Sequence, residues 1–346
     1  MAHIAVVLFN LGGPDGPEAV RPFLVNLFSD PAILRVPALL RPFLARLIAG
    51  RRAAEARRIY GLIGGASPIL AETGKQAAAL AAALEGGADT YEVFVAMRYW
   101  HPMTEEAVAR VKRFAPDRIV LLPLYPQFST STTASSVAAW RSAARAAKLD
   151  APTVSVCCYP TEAGFVAALA RQSRAAIDEA SAHGIPRVLF SAHGLPKKFV
   201  ERGDPYADQI ERCFAQVVAT LAMPKLDCAV CYQSRIGPLE WLRPYTVDEI
   251  ERAAAAKRPI VVVPVAFVSE HSETLVELDM DYRERAAKLG APAYVRAPTV
   301  GTDPDYVAAL ARLVRLAAGS APGSVVTGAG RRECAARRTA CPCRAA

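Results

Sequence analysis

The run R-V-L-F-S-A-H-G-L at 187–195 carries an apolar strand into His193, which Gly194 and Pro196 bracket. Residues 188–191 have the length and the β-branched or aromatic bias of a buried parallel strand. Gly194 and Pro196 stop it, so His193 is expected at its carboxyl end, the edge where open α/β sheets bind ligands. A second apolar run, P-I-V-V-V-P-V-A-F at 259–267, leads into V-S-E-H-S-E-T-L-V-E-L-D-M-D-Y. With a helix starting near Ser272, the residues Glu273, Glu277 and Asp281 fall four apart and stack on one face. Such a column repels itself and calls for a cation or a proton; residues 270–281 hold five acids, and no Lys or Arg comes before Arg283. An ordinary helix start, with acids favoured by the dipole, is the competing reading.

Glu270, His271 and Glu273 follow a strand's carboxyl end and are expected to face His193. A neutral imidazole with a carboxylate offers N and O ligands to ferrous iron without the tight hold of thiolates. The same two groups can accept protons. Further polar residues fall at strand ends: Asn10 before L-G-G-P, Tyr125 in Y-P-Q-F-S, and Gln233, Ser234 and Arg235 after the Cys231 strand. Trp241 follows, and a large flat side chain beside a polar cleft suits a planar aromatic ligand.

Positioning these groups falls to apolar strand candidates at 4–10, 118–124, 153–158, 187–191, 227–232 and 259–267, with Ala-rich helical stretches between several of them. That alternation predicts an α/β fold with parallel sheets flanked by helices. V-V-L-F-N-L-G-G-P from Val6 echoes R-V-L-F-S-A-H-G-L-P from Arg187, and I-V-L-L-P from Ile119 echoes I-V-V-V-P from Ile260. The expected organisation is a first lobe at 1–150 with an insertion at about 26–67, a second lobe at 151–320, and a tail at 321–346. Within the insertion, Arg35, Arg41 and Arg46 interrupt an apolar run at 31–50. Basic residues among large aliphatics suit lipid headgroups or an apolar ligand, and an amphipathic helix packed on its own lobe is an equal reading.

The 346 residues are 52% hydrophobic and 21% charged, which describes a globular chain with a sizeable core. No run reaches 18 uncharged apolar residues, and the chain enters a strand without a basic presequence, so a cytoplasmic location is expected. Much of the net charge of +8 sits in the tail, where Arg331, Arg332, Arg337, Arg338 and Arg344 face only Glu333. Without interleaved aromatics that tail argues against nucleic acid. Eight cysteines are expected to be thiols or metal ligands rather than disulfides. Cys228 and Cys231, i and i+3 on a strand, point to opposite faces and read as core.

Seven ordered motifs carry a resemblance: N-L-G-G-P at 10–14, G-G-A-S-P at 64–68, R-Y-W-H-P at 98–102, L-Y-P-Q-F-S-T-S-T-T at 124–133, S-A-H-G-L-P at 191–196, C-Y-Q-S-R-I-G-P at 231–238 and F-V-S-E-H-S-E-T-L-V-E-L-D at 267–279. In these the chain resembles ferrochelatase, which inserts ferrous iron into a porphyrin at the end of haem synthesis. The resemblance implies two Rossmann-like, chelatase-type lobes and a porphyrin cleft. It implies His193 and Glu273 as the catalytic pair, taken to bind the metal or relay protons, with Glu277 and Asp281 continuing the metal path. Leu11, Arg98, Tyr99, Tyr125, Gln233, Ser234, Trp241 and Phe267 match cleft-lining positions. Relatives that metallate coproporphyrin tend to carry tyrosine where Leu11 stands, so the resemblance implies protoporphyrin IX. The competing readings are coproporphyrin III, another tetrapyrrole metal chelatase, and a non-catalytic haem or porphyrin carrier.

Cys334, Cys341 and Cys343 form C-x6-C-x-C, a spacing similar to the iron-sulfur tail of some ferrochelatases. A [2Fe-2S] cluster needs four ligands; Thr130 stands where animal relatives place the fourth, so Cys157 or Cys158 is expected to supply it. Cys158, next to a turn, is preferred, on the premise that adjacent strand residues face opposite ways. A zinc site and idle thiols are the other readings of this tail. A monomer or homodimer with peripheral membrane contact completes the expectation.

Overall fold

The computed structural model of the chain describes residues 1–343, so Arg344 of the expected basic tail lies outside the described residues. The strands in chain order are β1 (His3–Asn10), β2 (Thr90–Met97), β3 (Arg118–Pro123), β4 (Thr153–Val156), β5 (Arg187–His193), β6 (Cys228–Gln233), β7 (Ile260–Pro264), β8 (Tyr294–Arg296) and β9 (Val325–Val326). The α-helices are α1 (Val20–Ser29), α2 (Arg41–Gly61), α3 (Ile69–Leu84), α4 (Thr104–Phe114), α5 (Thr133–Ala146) and α6 (Ala163–Ser181). They continue with α7 (Lys197–Glu201), α8 (Tyr206–Leu221), α9 (Thr246–Ala255), α10 (Tyr282–Lys288) and α11 (Pro304–Ala318). A π-helix occupies Glu273–Asp281.

Two compact units divide the chain. The first comprises Met1–Cys158 and Leu310–Gly330, the second Tyr159–Ala309 and the segment from Arg331. This differs from the expected boundaries at 150 and 320, because β4 pairs with β3 on one side and with β9 on the other. The segment 151–158 and the chain around β9 are thereby tied into the first sheet. The tail is also not a separate piece: from Arg331 it packs with the second unit.

Both sheets are parallel, ordered β2-β1-β3-β4-β9 in the first unit and β6-β5-β7-β8 in the second. Each unit places the first strand of its series between the second and the third, so β1 corresponds to β5 and β3 to β7. The chain from β1 to β2 uses residues 11–89, which include α1, α2 and α3, against 194–227 from β5 to β6.

Residues 187–192 of β5 are all buried. A parallel strand paired on both sides and covered on both faces needs a continuous apolar run, which is why β5 is legible in the sequence. Three strands escape that signal, β2, β8 and β9, and all three lie at sheet edges. β2 is exposed or half-buried over its first four residues and buried only toward its end, while β8 and β9 have three and two residues.

Arg187 opens β5 with one arm on Asp227 and the other on Glu249, each at 2.5 Å. The Arg187 and Glu249 side chains are 7% and 8% exposed, so removing the cation leaves a buried carboxylate with only the looser pair to Arg252, at 3.4 Å. Arg187→Ala should cost about 3 kcal/mol, read as a lower urea midpoint; an unchanged midpoint would contradict this role.

Candidate active site in the second unit

From β5 the chain crosses to β6 on one side, and β7 then pairs on the other side of β5. The carboxyl ends of β5 and β7 therefore form a topological switch point, where open parallel sheets bind ligands. His193 is the last residue of β5, and Glu273 begins the π-helix that follows β7. The two side chains meet: His193 Nδ1 lies 2.9 Å from Glu273 Oε2, with 39% and 29% of the side chains exposed to solvent.

The turn after His193 permits no side chain at Gly194. A Cβ there would come within 2.7 Å of the Gln233 carbonyl and 3.0 Å of the Trp241 ring. Trp241 therefore rests against the backbone beside the histidine, its indole N–H donating to the Ile236 carbonyl at 3.0 Å. Gln233 faces His193 in the β5–β6 register and accepts from Ser191 Oγ at 2.8 Å. Its amide nitrogen is buried without a hydrogen-bond partner among the described residues.

The acidic column departs from the expected α-helical spacing. A π-helix bonds i to i+5 and opens the turn beyond four residues, so the third position in line with Glu273 and Glu277 falls one residue later. Asp281 is exposed, and it is the buried Tyr282 whose hydroxyl donates to Glu277 Oε1 at 2.8 Å. Ser234 donates to Glu277 through both its backbone N–H, at 2.9 Å, and its hydroxyl. Ser234 holds a left-handed backbone, φ +60°, a conformation with a cost for any side chain but one that aims both donors at one carboxylate.

Glu270 does not face His193: it accepts from Arg296 at 3.0 Å and from the Thr299 N–H at 2.9 Å. His271 does come close, with Nε2 3.9 Å from Glu273 Oε2 and its ring 4.7 Å from that of Phe267. Burial lowers the affinity of His271 for a proton, more than Glu273 and Glu270 restore. For His193, burial disfavours the imidazolium, but the charge and hydrogen bond of Glu273 and the charge of Glu277 outweigh it and hold the group above 6.5. Glu273 is pushed up by burial and pulled down further by His193 and His271, ending well below 4.5. Burial and the charge of Glu273 raise Glu277, against the donors on it. One ionised carboxylate thus sits beside an imidazole, and the next is harder to ionise.

The remaining candidates lie in the first unit. Leu11 follows β1 and packs with Tyr99 and Trp100. Arg98 and Tyr99 follow β2, and both are held by Asp30, which sequence reasoning missed. The Arg98 guanidinium pairs with it at 2.8 Å and the Tyr99 hydroxyl donates to it at 2.7 Å. Tyr125 follows β3 and keeps its hydroxyl buried. No sequence signal marks Asp30, because its partners arrive from distant segments.

Among the described residues, no three His, Cys, Asp or Glu side chains are gathered closely enough to hold a metal ion. Cys334, Cys341 and Cys343 are buried in the second unit. Gln209 Nε2 donates to Cys334 Sγ at 3.2 Å and Arg212 at 3.7 Å, contacts that suit a thiolate. Cys157 and Cys158 lie in the first unit. β4 ends at Val156, so strand alternation does not separate them, and both pack beside Phe128. In donor type these buried thiols fit an iron-sulfur group. Cys231 is a core thiol, pushed up to about 12 by burial, and Cys228 is half-buried.

Followed by NMR, His193 should titrate above 6.5 and below that midpoint pair as imidazolium with carboxylate. Glu273→Gln removes the main force opposing burial, so the midpoint should fall; an unmoved midpoint would show that the carboxylate is not the cause.

The ferrochelatase family profile matches residues 3–318. The ferrochelatase of Caulobacter vibrioides is 51% identical over 343 residues, 99% of this chain and 97% of that protein. That of Phenylobacterium zucineum is 49% identical over 344 residues, 99% and 98% of the two chains. Among solved structures, SirB from Bacillus subtilis with Fe3+ is similar in fold, with a TM-score of 0.53 at 12% identity, covering 92% of this chain and 96% of that one. The protein belongs to the ferrochelatase family, lyases of haem synthesis that insert iron into a porphyrin.

Proposed function

We propose that the chain inserts Fe2+ into protoporphyrin IX to form protohaem, with His193 and Glu273 as the reacting pair. The supporting observation is the 2.9 Å contact between them at the switch point, with the charge of Glu277 also favouring the imidazolium. A free porphyrin gives up two pyrrole protons as the ion enters, so the site needs both a base and a place for a dication. An imidazole coupled to an ionised carboxylate serves either duty, and a ring gripped in a buckled shape exposes its nitrogens. Trp241, Phe267, Gln233 and Ser234 in the second unit, and Leu11, Arg98, Tyr99 and Tyr125 in the first, are proposed as porphyrin contacts. Glu277 is proposed to pass the ion; Asp281, being exposed, is proposed only as an outer binding point.

Leu11, apolar and packed on aromatics, favours the vinyl-bearing protoporphyrin over coproporphyrin III. Mixing anaerobic protein, ferrous iron and each porphyrin should give the faster rise of a haem spectrum with protoporphyrin; a clear preference for coproporphyrin overturns that choice. His193→Ala should slow insertion by about 10²-fold or more. Equal rates for variant and wild type would overturn the role of His193, and a wild-type rate no higher than the protein-free background would point to a non-catalytic haem or porphyrin carrier.

A [2Fe-2S] cluster on Cys334, Cys341, Cys343 and one of Cys157 and Cys158, with Cys158 preferred, is proposed from the burial of these thiols and the N–H groups on Cys334. Anaerobically purified protein should be brown, with visible absorbance lost in Cys341→Ser; a colourless preparation argues against the cluster. No helix among the described residues is long and apolar enough to cross a membrane. Leu39, Leu40 and Phe43, exposed by 95%, 54% and 68% beside Arg35 and Arg46, favour peripheral contact of a cytoplasmic monomer or homodimer with a lipid surface.

A further inference from the structure

The tail and the strand that ends in His193 are both fastened to the first turn of α8. Tyr206, the first residue of α8, is buried, and its hydroxyl donates to the His193 carbonyl at 3.1 Å. The next N–H along the chain, that of Gly194, donates to the Gln233 carbonyl at 2.9 Å. The peptide joining His193 to Gly194 is therefore held at its oxygen and at its nitrogen, and its plane fixes the direction in which β5 releases the imidazole. The Tyr206 N–H is itself capped by Asp204 Oδ1 at 3.0 Å.

Two residues beyond Tyr206, Asp208 receives both arms of the Arg338 fork, the Nε arm at 2.6 Å. The third nitrogen of that guanidinium donates to the Val200 carbonyl at 2.9 Å, and the side chain is only 11% exposed. A bidentate, largely buried fork holds orientation as well as charge. Just before α8, Ala340 donates its N–H to the Gly203 carbonyl at 3.2 Å. A Cβ on Gly203, which has φ +93°, would stand 2.9 Å from the Thr339 nitrogen, so the approach of the tail requires glycine there.

We propose that Tyr206 is a positioning residue for His193, and that the Arg338–Asp208 clamp seats the turn that carries it, so that docking of the tail sets the direction of the catalytic imidazole. This rests on the reading of His193 as a reacting group, and needs no metal or cluster in the tail. The clamp acts on the backbone of His193, not on its charge, so its loss should slow turnover while leaving porphyrin binding alone.

The test is a double-mutant cycle in the full chain with Tyr206→Phe, which keeps the ring, and Arg338→Ala. Each single variant should lower kcat on the order of tenfold, with KM for porphyrin near wild type, and the pair should be no slower than Tyr206→Phe alone. Wild-type kcat in Tyr206→Phe, or losses that multiply in the pair, overturns the proposal. Should Tyr206→Phe fail to fold, the NMR chemical shifts of the His193 ring in Arg338→Ala at fixed pH decide: moved shifts show a redirected imidazole and support the coupling, unmoved ones refute it. Full activity in His193→Ala would instead sink the underlying reading, and the NMR comparison would still report on the clamp.

Discussion

The second unit depends on the burial of β5 between two parallel neighbours. A strand with no free edge and no free face can offer chemistry only at its ends, and parallel pairing brings the same end of β5, β6 and β7 to one side. His193, Gln233 with Ser234, and the segment leading to Glu273 are the residues at those three ends. The amino ends are taken up by a network of Arg187, Asp227 and Glu249 joined by Arg258 and Arg252, which closes that side of the sheet with its carboxylates paired. One packing constraint thus sorts structural ionic groups from reactive ones.

The π-helix answers the electrostatic problem that the acidic run creates. An α-helical period would have aligned three carboxylates with no cation among them. The wider turn turns Asp281 out to solvent and brings in Tyr282, a hydroxyl donor where a third negative charge would have stood. The strained backbone of Ser234 adds two more donors to the same carboxylate. Glu273, shared with imidazoles instead, keeps its charge. Two carboxylates one turn apart thereby acquire different proton affinities from different partners.

Much of this was legible because it is local or periodic. The apolar run at 188–190 gave away β5, and Gly194 with Pro196 marked where His193 must emerge. The echo between the halves matches the repeated strand order. What could not be read has physical reasons. β2, β8 and β9 are edge strands, β2 only partly buried and β8 and β9 too short to make a conspicuous run. The shift from Asp281 to Tyr282 comes from a rare helix period that composition does not encode. Asp30 acts through Arg98 and Tyr99, 68 and 69 residues away, and Tyr206 through a partner 13 residues away, and nothing in the sequence near them announces those contacts. The boundary at 158 rather than 150 follows from β4 pairing with β3, and the two-residue β9 joins β4 from far along the chain.

The two units share a strand order, yet the imidazole and its carboxylate occur in one of them only. At the corresponding places the first unit has Asn10 tied to Thr73, and a longer excursion that contains α1, α2 and α3. A plan used twice in one chain allows its copies to evolve under separate selection. Residues of α1 to α3 can drift, lengthen or change their apolar surface without disturbing a proton affinity set inside the other copy.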